Sequence, residues 1–225
     1  MLDVTSKIVG RGLSIAVLIG AFPLPGQEDT ALDRYVKAAD PSYGWELRST
    51  HPGLGIRTFN LRMTSQTWLT ASEVSGNRWQ HWLRVTVPSN VQSSKAVLLI
   101  NGGNTDEVNP GAAPFELSAA VALTGIVLAE LRAVPNQPLT FAGEASARSE
   151  DAILAYSWDK YLRTGDEKWP AQLAMTKAAV RAMDAVSEFC ARPEAGGHKI
   201  DGYVVGGGSK RGWISWLTAA VDRRV

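Results

Sequence analysis

Three short apolar runs constrain this chain more than any other feature: "AVLLI" at Ala96 to Ile100, "GIVLAEL" at Gly125 to Leu131, and the shorter "IDGYVV" at Ile200 to Val205. A strand with one wet face alternates polar and apolar residues. A strand with a continuous apolar run needs cover on both faces, as parallel strands between layers of helix have. Helical stretches separate the runs: Pro114 to Leu123, Glu150 to Leu162 and Pro170 to Arg192. Pro170 stands where a first-turn proline is tolerated, and Pro193 follows where one stops a helix. Upstream the pattern changes. "WELRST", "GIRTFNLRMTSQTW" and "WQHWLRVTVP" alternate, with Trp79, His81, Leu83, Val85 and Val87 on one face. That predicts an antiparallel meander with one wet face. Before it, "QEDTALDRYVKAAD" gives a short amphipathic helix. The expected class is α/β: a mostly parallel sheet with antiparallel N-terminal strands.

The totals narrow the function classes. With 225 residues, 45% hydrophobic and 20% charged, a sizeable core is affordable. A net charge of +1 and the lack of a basic stripe with interleaved aromatics argue against a nucleic-acid partner. The single cysteine, Cys190, rules out an internal disulfide. Lys7 and Arg11 precede an apolar run, Gly12 to Phe22, and a Pro/Gly break follows at Pro23 to Gly26. The run is about eleven residues, short of the ~20 that a bilayer needs. Residues 1–26 therefore read as a secretory signal peptide, although no clean A-x-A cleavage triplet is present; the alternative is a buried first element of the domain. The expected location is periplasmic or extracellular, with no membrane contact once the signal is removed. Residues 27–225 form the expected domain.

The third apolar run ends in "VVGGGSKRGWISWLTAAV", a buried strand, a glycine run, Ser209 and a helix. A nucleophile elbow needs that order, with small residues around the serine because the turn is strained and its backbones crowd. The motif is displaced: G-x-S-x-G asks for glycine at 211, where Arg211 stands, and the glycine is Gly212. The alternatives are a serine helix cap and a phosphate cradle, though no G-K-[ST] order follows. The first run ends similarly, in Asn101, Gly102, Gly103 and Asn104. In α/β-hydrolases such a loop gives one N–H to the oxyanion, and the residue after the nucleophile, here Lys210, gives the other. An ordinary strand-end turn explains "NGGN" equally well. Lys210 or Arg211 would sit over an oxyanion or hold a substrate carboxylate; the alternatives are a solvated Lys210 and an Arg211 paired with an acid such as Asp222.

Other residues carry less. Asn136 and Gln137, in the "VPNQPLTF" loop after the second apolar run, are candidate pocket groups, the alternative being a proline-shaped connector. Glu150 and Asp151 serve as helix-terminus acids or as polar pocket groups. His51, His81 and His198 all precede Ser209; His81 reads as a packed or a surface residue, and His198 as facing the opposite end of the sheet. Trp213 and Trp216 share a helix face, which argues packing first. No H-E-x-x-H, CxxC or acidic cluster suggests a metal, and no cofactor is implied.

The string "GGGSKRGWISWLTAAVDRRV" resembles the signature of the PhoPQ-activated pathogenicity-related family, as do "DRYVKAADPSYGWEL", "TSQTW", "NGGN", "VPNQPLTF", "SEDAILAYSWDKYL" and "MTKAAVRAMDAVSEF". The resemblance runs from about Ala31 to Val225. It implies an α/β-hydrolase fold, in a family that also takes in autocrine proliferation repressor proteins. It implies Ser209 as nucleophile, with Lys210, Gly102, Gly103 and Asn104 around the oxyanion. The triad acid and histidine would follow Val225 in the superfamily's order. The sequence therefore reads as the N-terminal part of such a domain, cut after the elbow helix and weak or inactive as a hydrolase of esters or amides. The competing expectation is a non-catalytic secreted signalling or binding protein. The substrate, a small molecule or a peptide, is undefined.

Overall fold

The alternating segments form the meander. In this computed structural model, which describes residues 28–225, β1 (Gly44–Gly53), β2 (Ile56–Thr67) and β3 (Arg78–Pro88) pair antiparallel in order. The expected export signal lies outside the described residues. The three apolar runs become β4 (Lys95–Ile100), β5 (Val127–Leu131) and β6 (Gly202–Gly207), and β4 pairs parallel with both of the others. Because β5 also pairs antiparallel with β3, one six-stranded sheet results, in the order β1-β2-β3-β5-β4-β6. The chain steps from β4 to β5 on one side, then returns to place β6 on the other. In open α/β sheets, the crevice beyond the strands' carboxyl ends at such a reversal is where ligands bind.

The two faces are covered differently. Ala96, Leu98 and Ile100 of β4 and Val127, Ala129 and Leu131 of β5 point into the main core. Above them lies α4 (Ala171–Cys190), flanked by α1 (Ala31–Lys37), α3 (Asp151–Thr164) and α5 (Lys210–Val221). Ala174, Ala178, Ala182 and Ala185 of α4 are fully buried, and their small side chains let the helix sit close to the sheet. Phe59 and Phe189 meet there edge to face, ring centroids 4.9 Å apart; burying such a side chain stabilises by about 1.5–3 kcal/mol. Among the described residues, the helix on the opposite face is α2 (Phe115–Thr124), whose Val121 packs on Ile56 and Leu128. Two local devices fix α1. Thr30 and Asp33 form a capping box at its start. At its end, the buried Lys177 donates to the carbonyls of Ala38 (2.7 Å) and Tyr35 (3.2 Å), a cation at the negative pole of a helix.

β3 departs from the expected single wet face. Trp79, His81, Leu83, Val85 and Val87 are buried together, but so are Arg84 and Thr86 on the other side. The segment after β4 folds back over them. Arg84 pairs with Glu130 of β5 at 2.6 Å, both side chains buried, and donates to the Ala112 carbonyl at 3.2 Å. Trp82 donates to the Glu107 carbonyl at 2.8 Å. A buried pair of this kind mainly specifies geometry: losing one partner strands the other charge at about 3–5 kcal/mol. What it specifies here is the course of the loop leaving β4.

Candidate active site

β6 ends at Gly207 and α5 begins at Lys210, so two residues reverse the chain. Ser209 takes φ 53 and ψ −125. A non-glycine residue enters such a region at a cost of about 1–3 kcal/mol, and such residues cluster at functional sites. Its side chain is exposed. It occupies the N-cap position, yet its hydroxyl makes no cap hydrogen bond. A capping serine stabilises by accepting an N–H of the first turn, so the helix-cap alternative lacks its physical basis. The glycines follow from crowding. A Cβ on Gly207 would lie 2.8 Å from the backbone carbon and oxygen of Arg211, and one on Gly212 would lie 2.9 Å from the Gly207 carbonyl oxygen. A Cβ on Gly208 would meet open space. The first turn of α5 therefore lies across the end of β6, and Gly207 and Gly212 are the pair it requires.

The loop after β4 emerges beside this turn. The two strands stay in register to their ends, Ile100 opposite Gly207. The Arg211 guanidinium fills the gap, its Nη2 2.7 Å from where a Cβ of Gly102 would stand. Among the described residues, the N–H groups of Gly102, Gly103 and Lys210 donate to no backbone carbonyl. Asn104 differs from the other candidate donors: its N–H goes to Glu107 Oε1 at 3.2 Å. Gly103 has φ 117, and a Cβ there would collide with the Glu107 carboxylate. Glu107 is held in turn by Arg132 at 2.8 Å, and Thr105 N–H by the Gln137 carbonyl at 2.8 Å.

Lys210 and Arg211 are neither solvated nor paired with Asp222, which binds Arg224 instead. Both reach Glu150, at the start of α3: Lys210 Nζ to Oε2 and Arg211 Nη2 to Oε1, each 2.5 Å. Their side chains are only 10% and 13% exposed, which removes them as free cations for substrate. Asp151 adds a 3.1 Å contact to Lys210. Arg211 Nε also donates to the Val134 carbonyl at 2.6 Å. Gln137 completes the network, its amide donating to Glu150 Oε1 (2.7 Å) and to the Gly103 carbonyl (3.1 Å). Burial raises the Glu150 pKa, but the hydrogen bonds from Lys210, Gln137 and Arg211 outweigh it and hold the carboxyl down at about 2. The sequence offers Glu150 as a helix-terminus acid or a polar pocket group, without naming its partners, which lie sixty and more positions on.

The remaining candidates are placed plainly. Asn136 is a brace, accepting Gln80 N–H (2.9 Å) and donating to the Gly76 carbonyl (3.2 Å). It also lines a cleft of about 290 Å³ with Arg78, Gln80, Thr105 and Asp106 on the same edge of the sheet. His81 is fully buried between the Arg132 carbonyl and Ser65 Oγ, 3.0 Å from each, and burial pushes it down to about 4. His198 precedes β6, the whole strand away from Ser209, roughly 20 Å at the usual rise. His51 sits on β1, its Nε2 3.0 Å from Ser49 Oγ. Trp213 and Trp216 do not pack as expected: they are 46% and 81% exposed. Trp213 faces a groove with Leu32, Trp158 and Tyr161, while Trp216 lies over the open side of β6. Cys190 is buried, and burial pushes its thiol up to about 12.

A serine on a strained strand-to-helix turn, beside a glycine loop at the reversal point of an α/β sheet, defines the α/β-hydrolase class. Solved structures share the fold. Acetyl xylan esterase from Paenibacillus sp. R4 is 15% identical, with a TM-score of 0.52 over 86% of this chain and 54% of its own. Acetyl xylan esterase 1 from Thermoanaerobacterium sp. is 14% identical, with 0.52 over 87% and 53%. A glucuronoyl esterase from Solibacter usitatus is 16% identical, with 0.50 over 86% and 54%. At those identities the likeness is one of fold.

Sequence comparison is sharper. Residues 32–225 match the PhoPQ-activated pathogenicity-related protein family, and the chain belongs to it. Autocrine proliferation repressor protein A of Dictyostelium discoideum is 36% identical over 198 residues, 87% of this chain and 39% of its own length. The chain thus spans well under half of that relative and about half of the esterases.

Proposed function

We propose that the protein is a serine hydrolase of esters or amides with Ser209 as nucleophile. The observation that carries this reading is the Ser209 backbone: strained, exposed, without a cap bond, and beside N–H groups that lack a backbone acceptor. Ser209 Oγ attacks the carbonyl carbon and gives its proton to a general base. The carbonyl oxygen becomes an oxyanion held by the Lys210 N–H and an N–H of Gly102 or Gly103. Collapse expels the alcohol or amine, which takes the proton back, and water then releases the acyl group by the same steps reversed. Glu150 is not that base, because a carboxyl held near 2 is too weak an acceptor at neutral pH. The three histidines all precede Ser209 in the chain, and none is positioned as its partner. A fluorophosphonate probe on the protein expressed from its complete reading frame tests the proposal. Wild type is expected to label and Ser209→Ala not; equal labelling refutes it.

The second reading is a secreted signalling or binding protein that keeps the hydrolase fold. It is favoured by the name of the amoebal relative, a proliferation repressor. An unlabelled wild type supports it.

A further inference from the structure

The geometry points to Glu150 as a positioning residue that locks the serine turn and the Gly102–Gly103 loop to each other. Its chemical purpose rests on the hydrolase reading, but the lock itself does not.

Glu150 has the backbone of Ser209 almost to the degree, φ 52 and ψ −128 against φ 53 and ψ −125. Strain at a non-glycine residue persists only where the surroundings over-determine it. Here they do. Gln137 grips Glu150 at two points, accepting its backbone N–H at Oε1 (2.7 Å) and donating to its carboxylate (2.7 Å). The side chain is turned away from its own helix, since Glu150 stands at the N-cap of α3 and makes no cap bond. Both carboxylate oxygens go to the two residues that follow the serine. A pair that served only to hold α3 against α5 would not need the inverted backbone.

The network also has a direction. From Glu150, one path runs through Lys210 and Arg211 to the first turn of α5. A second runs through Gln137 to the Gly103 carbonyl. A third runs through Arg211, whose guanidinium lies against Gly102 and donates to the Val134 carbonyl. Val134 N–H and Ala133 N–H in turn hold the carbonyls of Asn101 (3.1 Å) and Gly102 (2.9 Å). The two sources of oxyanion donors thus hang on one carboxylate. Glu150→Gln would face an ammonium and a guanidinium with an amide that has one acceptor oxygen.

The test compares wild type, Glu150→Gln and Gln137→Ala by hydrogen exchange and by the rate of fluorophosphonate labelling. In Glu150→Gln, exchange is expected to rise about tenfold at the protected amides of Thr105, Ala133, Val134, Arg211 and Trp213, while β2 keeps its protection. Labelling is expected to slow by about 10- to 100-fold, the effect of a small misplacement of donors. Gln137→Ala is expected to loosen 101–105 and 132–134 but not 208–213. Unchanged exchange at both segments overturns the proposal, and so does an even rise across the chain, which marks a merely structural pair. If Glu150→Gln does not fold, Gln137→Ala alone decides, and unchanged exchange at 101–105 overturns the lock. If wild type never labels while the exchange pattern holds, the hydrolase reading fails and the lock stands.

Discussion

Replacing Ser209 with glycine should make the protein more stable, and replacing it with alanine should not. The serine hydroxyl makes no cap bond and the side chain is exposed, so Ser209→Ala removes little and keeps the Cβ in its unfavourable region. Glycine visits that region freely. Relief of the strain is worth about 1–3 kcal/mol. Against it stands the greater unfolded-state entropy of glycine, about 0.5–1 kcal/mol. The net gain is about 1 kcal/mol, or about 3 °C in Tm for a chain of this size. Ala120→Gly, on the exposed side of α2, controls for the entropy alone and should cost about 1 kcal/mol. Thermal melts of the four proteins in one buffer settle the point. A Ser209→Gly protein that melts at or below Ser209→Ala refutes the claim that strain is stored at the serine.

The crowding argument predicts a contrast among neighbouring glycines. Gly212→Ala should cost about 1–3 kcal/mol in urea unfolding and slow the labelling of Ser209, because its Cβ meets the Gly207 carbonyl, whereas Gly208→Ala should be close to neutral. His81 predicts a pH dependence. Its folded pKa of about 4 lies below the ordinary 6.5, so the unfolded chain binds the extra proton between those values and stability falls as pH falls through that window. The loss between pH 6.5 and 5, where carboxylates contribute little, should be about 2 kcal/mol, and unfolding curves that coincide across that interval contradict the burial argument.

The fold was legible where burial acts on contiguous residues. Ala96 to Ile100 and Gly125 to Leu131 read as two-sided strands because apolar side chains fall on both faces, with Glu130 the one polar residue inside the second run. The strained serine was legible too, since strand, small residues and helix must follow one another along the chain. What stayed hidden depends on contacts across sequence distance. The closure of the second face of β3 needs Arg84, Glu130 and the Ala112 carbonyl together, and alternation alone leaves Arg84 looking solvated. Glu150 is hidden for the same reason. Beside Asp151 it reads as a dipole-facing acid, and no local pattern says that its carboxylate turns toward Lys210 and Arg211. Trp213 and Trp216 misled in the other direction, because spacing shows which residues share a helix face but not what covers it.

The displaced glycine makes the general point about motifs. G-x-S-x-G describes one way to keep Cβ atoms out of the place where a helix crosses the strand that feeds it. The physical requirement is on the crossing and not on the position two residues after serine. Here the crossing point is Gly212 over the Gly207 carbonyl. That frees position 211 to carry a side chain, and the side chain it carries is an arginine long enough to reach Gly102, Val134 and Glu150 at once. With glycine at 211, the contacts that this side chain makes with Gly102, Val134 and Glu150 would be lost. The one-residue shift is therefore what joins the serine turn to its neighbouring loop.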